Sequence, residues 1–73
     1  MKTIQLQGIG KLPATEAANI KAGDVLVWNF GETESVVSIE KQTAQSIWVE
    51  ITSQNGYHGT RRMMKKRLVA IKN

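Results

Sequence analysis

One stretch, residues 22–39, constrains the fold more than any other part of the sequence. It reads AGDVLVWNFGETESVVSI: a Gly23-Asp24 turn, an apolar run, a short polar turn and a second apolar run. Gly23 can take a positive φ, and Asp24 can accept hydrogen bonds from nearby backbone amides. Both runs are rich in β-branched or aromatic residues. The stretch therefore predicts a β-hairpin with strands over residues 25–30 and 34–41.

Three further strands are predicted downstream, over residues 46–52, 57–62 and 67–72. The first of them alternates apolar and polar residues, which places Ile47, Val49 and Ile51 inward and Trp48 on the polar side. Asn55-Gly56 separates it from the next strand and is the strongest short-range signal for a hairpin.

Two short helical turns complete the predicted architecture. Residues 12–21 contain Pro13, which suits a first helical position, and Glu16, which favours the positive end of a helix. We expect this segment to cover Trp28 and Phe30 as a second small core. Residues 63–66 predict another turn before the last strand. The fold class expected is all-β, a small five-stranded SH3-like barrel over residues 12–73, with residues 1–11 as an N-terminal arm or short strand.

Size and composition restrict the functions that this chain can perform. The 73 residues allow one domain with a thin core. There is no cysteine and only one histidine, so we expect neither a disulfide framework nor a metal or other cofactor. The net charge of +4 favours anionic partners. We find no signal peptide and no membrane-spanning stretch, and we expect a cytoplasmic protein.

The hairpin also carries a family resemblance. The residues that carry the likeness are Leu12-Pro13, Ile20-Lys21-Ala22-Gly23-Asp24-Val25-Leu26-Val27-Trp28-Asn29-Phe30-Gly31, Val36-Val37-Ser38-Ile39, Arg61-Arg62 and Arg67-Leu68-Val69-Ala70-Ile71. With them, the sequence resembles small uncharacterised proteins encoded by bacteriophages and prophages. The likeness covers roughly residues 12–72. It implies a compact SH3-like β-barrel of phage or mobile-element origin, with no established activity. The acidic, tyrosine-rich loop of the SH3 domains that bind proline motifs is missing.

A group of cations near the C-terminus is the main candidate binding site. Five cations fall within seven residues, with aromatic residues nearby in the predicted sheet: Arg61, Arg62, Lys65, Lys66 and Arg67, with Trp48 and Tyr57 as stacking candidates. A basic face with aromatic side chains binds DNA or RNA through phosphate contacts and base stacking. The alternative is a solvated edge whose charges discourage pairing between sheets.

We do not expect an enzyme. His58 could be combined with Asp24, Glu40, Glu50 or Ser53 as an acid–base site, but no spacing in the sequence brings them together. The second functional hypothesis is a protein-interaction or assembly module, which docks on a phage or host protein or self-associates. Two features favour this hypothesis: Trp48 on the solvent-facing side of its strand, and an N-terminal strand that the predicted barrel does not need. The sequence leaves the oligomeric state open.

Overall fold

The computed structural model describes residues 2–72. It contains seven strands: β1 (Lys2–Leu6), β2 (Gly10–Glu16), β3 (Val25–Val27), β4 (Thr33–Gln42), β5 (Ser46–Ser53), β6 (His58–Met64) and β7 (Leu68–Lys72). Two 3₁₀ turns, Ala17–Asn19 and Asn29–Gly31, flank β3. The strands form one sheet in the order β1-β2-β7-β3-β4-β5-β6, and every neighbouring pair is antiparallel.

The main core lies on the concave side of the curved sheet. Its members are apolar side chains from β3 to β7 and from the segment before β3: Ala17, Ile20, Leu26, Val36, Ile47, Val49, Ile51, Met63 and Val69. Trp28 packs against this core at one end. The 3₁₀ turn that follows β2 is attached to the turn between β6 and β7, because Ala17 N donates to Arg67 O at 2.8 Å. The side of the sheet that faces the main core is called the inner face below.

A second, smaller core lies on the opposite side of β3 and β7. Leu6, Val27 and Ala70 are buried there, with Ile4 and Leu12 packed against them. Val27 follows Leu26 directly, and successive residues of a strand point to opposite faces. The β1–β2 hairpin therefore supplies most of the second core.

Much of the predicted strand pattern is confirmed. The fold is all-β, β3 pairs with β4, and β5 pairs with β6 around Asn55-Gly56. Ile47, Val49 and Ile51 are buried as predicted. Gly23 has a φ of 96°, and Asp24 Oδ2 accepts a hydrogen bond from Lys21 N at 3.0 Å.

The predicted count of five strands is wrong by two, because residues 2–6 form β1 and residues 12–16 belong to β2 and not to a helical turn. β2 pairs with β1 on one side and, from Ala14 to Glu16, with β7 on the other. Pro13 has no β7 partner in this register, so its missing N–H costs no bond on that side. In residues 12–21 the local helix signals were weaker than strand pairing over a long sequence separation. Only Ala17–Asn19 of this segment is helical.

Three finer predictions also fail. Residues 63–66 form no helical turn, since Met63 and Met64 end β6 and a turn follows. The first hairpin strand ends at Val27 instead of continuing to residue 30. The second core does not cover Trp28 and Phe30: Trp28 joins the main core, and Phe30 is 72% exposed.

The predicted division into an arm and a domain includes Met1 and Asn73, which lie outside the described residues. Within residues 2–72, the fold contains no helix that is long and apolar enough to cross a membrane.

Candidate functional site

The cation cluster is divided between the two faces of β6. Arg61 and Met63 occupy alternate positions of the strand, so Arg61 points to the inner face, where Met63 is buried. Arg62 points to the opposite, outer face. Its cross-strand partner on β5 is Trp48, which also points outward because its neighbours Ile47 and Val49 are buried. The two adjacent arginines therefore have different surroundings.

On the inner face, Arg61 belongs to a polar network around Trp28. Its guanidinium forms two hydrogen bonds to the Glu34 carboxylate, from Nε to Oε1 and from Nη2 to Oε2, each 2.7 Å long. Trp28 Nε1 donates to the same Oε1 at 2.9 Å. The guanidinium of Arg61 lies 4.6 Å from the centre of the Trp28 ring, and that of Arg67 lies 5.5 Å from it.

The network determines the charge of Glu34. Burial by itself would raise the pKa of this carboxyl, but the hydrogen bonds from Arg61 and Trp28 and the charge of Arg61 lower it further than burial raises it. The net result is a pKa below the ordinary value of 4.5, and the group stays ionised. Because Arg61 is neutralised by Glu34, it is a poor partner for a phosphate.

On the outer face, Trp48 lies between two cations. The Lys41 ammonium is 5.2 Å from the ring centre, and the Arg62 guanidinium is 5.4 Å from it. Arg62 Nη2 also donates to Ser46 Oγ at 3.1 Å, and Ser46 is buried. Neither cation forms an ion pair with a carboxylate of residues 2–72. We call Lys41, Trp48 and Arg62 the outer patch.

The turn between β6 and β7 carries two further cations, Lys65 and Lys66. Lys65 N donates to Gln45 O at 2.8 Å, and Lys65 O accepts from Ala18 N at 3.0 Å. The turn is thus attached to the β4–β5 loop and to the first 3₁₀ turn. Lys66 is exposed and Lys65 is half-buried. We call Lys65 and Lys66 the basic turn.

Tyr57 and His58 are outside both groups. Tyr57 is 68% exposed, and its ring covers Gly59, where a Cβ would lie 2.8 Å from the Cε2 atom of the ring. Gly59 shares the inner face with Arg61, so Tyr57 is not beside Trp48. His58 is exposed, and its Nδ1 is 3.0 Å from the Thr52 hydroxyl across the hairpin. Within residues 2–72, no side-chain hydrogen bond or ion pair joins His58 to Asp24, Glu40, Glu50 or Ser53.

Sequence reasoning therefore named a set of residues that the fold separates. The fold brings Arg62 and Trp48 together and groups Arg61 and Arg67 with Trp28. Lys65 and Lys66 lie on the turn that follows β6. Lys41 was missed, although it occupies the position opposite Trp48 on β4. Counting outward from a two-residue Asn55-Gly56 turn pairs Trp48 with Met63, one position away from its actual partner Arg62. No local signal pointed to Glu34.

Within residues 2–72, no group of three or more histidines and carboxylates is placed to hold a metal ion. Comparisons with protein-family models, with curated proteins and with solved structures found no match.

Proposed function

We propose that this chain is a non-enzymatic module that binds single-stranded nucleic acid on its outer face. The observation that carries the proposal is the outer patch: Trp48 lies between Lys41 and Arg62, and these cations have no carboxylate partner among residues 2–72. Ser46 holds the Arg62 guanidinium in position. An aromatic ring with adjacent unpaired cations suits a ligand that combines flat bases with phosphates.

The energetics favour stacking on Trp48. A base that stacks on an aromatic side chain gains about 1–3 kcal/mol. To reach the ring it must displace one cation–π contact, which is worth about 0.5–1 kcal/mol at an exposed site. A displaced Lys41 is then free to contact a phosphate of the same strand. Stacking therefore outweighs the contact that it replaces.

The phosphate contacts are assigned to the outer patch and the basic turn. Lys41, Arg62, Lys65 and Lys66 provide four positive charges, of which Lys41, Arg62 and Lys66 are exposed. Each phosphate contact contributes about −0.7 to the slope of log K against log salt for single strands, so about −2 to −3 is expected in total. Tyr57, Arg61 and Arg67 belong to the inner side and are not part of this surface.

Fluorescence anisotropy with labelled single-stranded DNA and RNA at several salt concentrations tests the proposal. The double variant Lys41→Gln, Arg62→Gln is expected to weaken binding and to make the salt slope shallower by about 1.4. Lys11→Gln is the matched control, because Lys11 is exposed on β2, several strands from the outer patch. Absence of binding at low salt, or equal loss in the control, contradicts the proposal.

A protein-interaction or assembly module is the second candidate function. The observation that favours it is the open sheet: β1 and β6 each have only one neighbour, so each leaves an edge available to another strand. Light scattering over a wide concentration range tests self-association, and a partner pull-down tests docking. A strict monomer with no partner excludes this candidate.

We also propose that β3 to β7 form the SH3-like unit expected from the sequence, with the β1–β2 hairpin added to it. The order β7-β3-β4-β5-β6 and the main core inside the curved sheet support this proposal. A phage or prophage origin and a cytoplasmic location stand as proposals from the family resemblance and from the sequence. The genes that flank this one test the origin.

A further inference from the structure

An open groove lies at the Trp28 end of the molecule, away from the outer patch. Its volume is about 580 Å³, and its lining includes Trp28, Asn29, Phe30, Gln54, Asn55 and Arg67. Small-molecule sites in proteins are commonly about 300–1,000 Å³. None of the outer-patch residues lines it. The groove is therefore large enough for a ligand of its own.

Two side-chain amides, those of Asn29 and Gln54, line this groove. Asn29 Oδ1 accepts a hydrogen bond from Gln7 N at 3.1 Å. Gln54 Oε1 accepts from Thr33 N at 3.2 Å and from Thr33 Oγ1 at 3.1 Å. Because the amide oxygens are occupied, the two NH₂ groups remain for a ligand. The groove thus favours a ligand that is rich in acceptors.

The charges in the groove also favour an anion at one position. Arg61 and Glu34 neutralise each other through their two hydrogen bonds. Arg67 is exposed, lies against the Trp28 ring and forms no ion pair within residues 2–72. Glu32, also in the lining, is an opposing charge, so the anion contact is assigned to Arg67 alone. One phosphate group on Arg67 fits this balance.

Phe30 supplies an independent sign of a binding site. It is the single non-glycine residue of the described chain with a positive φ, 63°, and its side chain is 72% exposed. The backbone is held there by a hydrogen bond from Phe30 N to Gln7 O at 2.7 Å. An exposed ring on strained backbone adds little to the core. Such strain occurs most often at sites that contact ligands.

We infer that this groove binds a nucleoside phosphate. The base lies against the Phe30 ring, its acceptor atoms receive hydrogen bonds from the amides of Asn29 and Gln54, and the phosphate contacts Arg67. The aromatic ring accounts for the flat part of the ligand, the NH₂ groups for its acceptors and the arginine for its anion. The inference does not depend on nucleic-acid binding at the outer patch.

Titration of ¹⁵N-labelled protein with nucleoside monophosphates, nucleosides and inorganic phosphate tests the inference. Nucleoside monophosphates are expected to shift the Trp28 indole N–H and the Gly31 amide. Phe30→Gly is expected to weaken binding by about 5- to 150-fold, the range for loss of one stacked base. Arg67→Gln is expected to remove the preference for the phosphorylated nucleoside. The spectrum of each free variant reports whether its fold is retained.

Lys11→Gln is the matched control, because Lys11 is exposed on β2 and belongs neither to the groove lining nor to the outer patch. It is expected to leave this binding unchanged. Three results overturn the inference: no shift of the Trp28 indole N–H with any nucleoside monophosphate, equal affinity for inorganic phosphate alone, or equal weakening by Lys11→Gln. The Trp28 indole N–H reports on the groove and the Trp48 indole N–H on the outer patch, so failure here is distinguishable from failure of the outer patch.

Discussion

At the scale of single residues, Glu34 holds the Trp28 end of the molecule together. Its carboxylate accepts hydrogen bonds from Trp28, which directly follows β3, and from Arg61 on β6. Its side chain is only 13% exposed, whereas that of Arg61 is 39% exposed. The pair is therefore half screened by solvent, and its contribution to stability is smaller than that of a fully buried pair.

We predict that Glu34→Gln lowers the free energy of unfolding at neutral pH by about 1–2 kcal/mol. Hydrogen bonds to charged groups contribute about 1.5–3 kcal/mol, and screening at the partly exposed Arg61 reduces this value. Because the pKa of Glu34 is lowered in the folded protein, its stabilisation is complete above the ordinary value of 4.5 and is lost as the pH falls through the folded pKa. Urea unfolding of both proteins between neutral and acidic pH measures this difference.

Glu50→Gln is the control for this substitution, because Glu50 accepts only one hydrogen bond, from the neutral Ser38 hydroxyl at 3.2 Å. It should cost less than Glu34→Gln. A difference between wild type and Glu34→Gln that does not shrink in acid contradicts the account of Glu34.

Phe30 permits a direct test of backbone strain. Left-handed backbone costs a residue with a Cβ about 1–2 kcal/mol, and glycine avoids this cost. Phe30→Gly should therefore be more stable than Phe30→Ala by about 1 kcal/mol in urea unfolding. At Val37, an exposed residue of β4, the order should be reversed, because glycine in a strand is less stable than alanine. If the glycine and alanine variants show the same order of stability at both positions, the backbone at Phe30 is not strained.

At the scale of elements, hairpins joined by short turns could be predicted from the sequence, but contacts between distant segments could not. The β5–β6 hairpin follows from alternation and from Asn55-Gly56, which act over a few residues. β2 was missed because its partners are β1 and, far along the chain, β7. The site shows the same division: the Trp48–Arg62 pair lies within one hairpin, whereas Glu34 and Arg61 are 27 residues apart.

The attachment of the first 3₁₀ turn to the β6–β7 turn can be tested by amide hydrogen exchange. Ala17 N and Ala18 N donate to Arg67 O and Lys65 O at 2.8 and 3.0 Å. Amide hydrogen exchange at Ala17 and Ala18 should therefore be slow compared with that at Ala22, which lies on the exposed loop that follows. Equally fast exchange at the three alanines would mean that the basic turn is not held in place.

At the scale of the whole molecule, the arrangement of charge matters more than its total. A net charge of +4 on 73 residues is modest. Arg61 is neutralised by Glu34, and Arg67 lies at the groove. The positive charge available for the proposed outer site therefore comes from Lys41, Arg62 and the basic turn. The two tryptophans lie on opposite faces and report separately on the two proposed sites.

The most direct test of the central claim is an NMR titration of the ¹⁵N-labelled protein with a short single-stranded oligonucleotide at low salt. Binding at the outer patch predicts shifts of the Trp48 indole N–H and of the backbone amides of Lys41 and Arg62, which added salt reverses. Shifts that are absent, or that spare Trp48 while other parts of residues 2–72 respond, would contradict the claim.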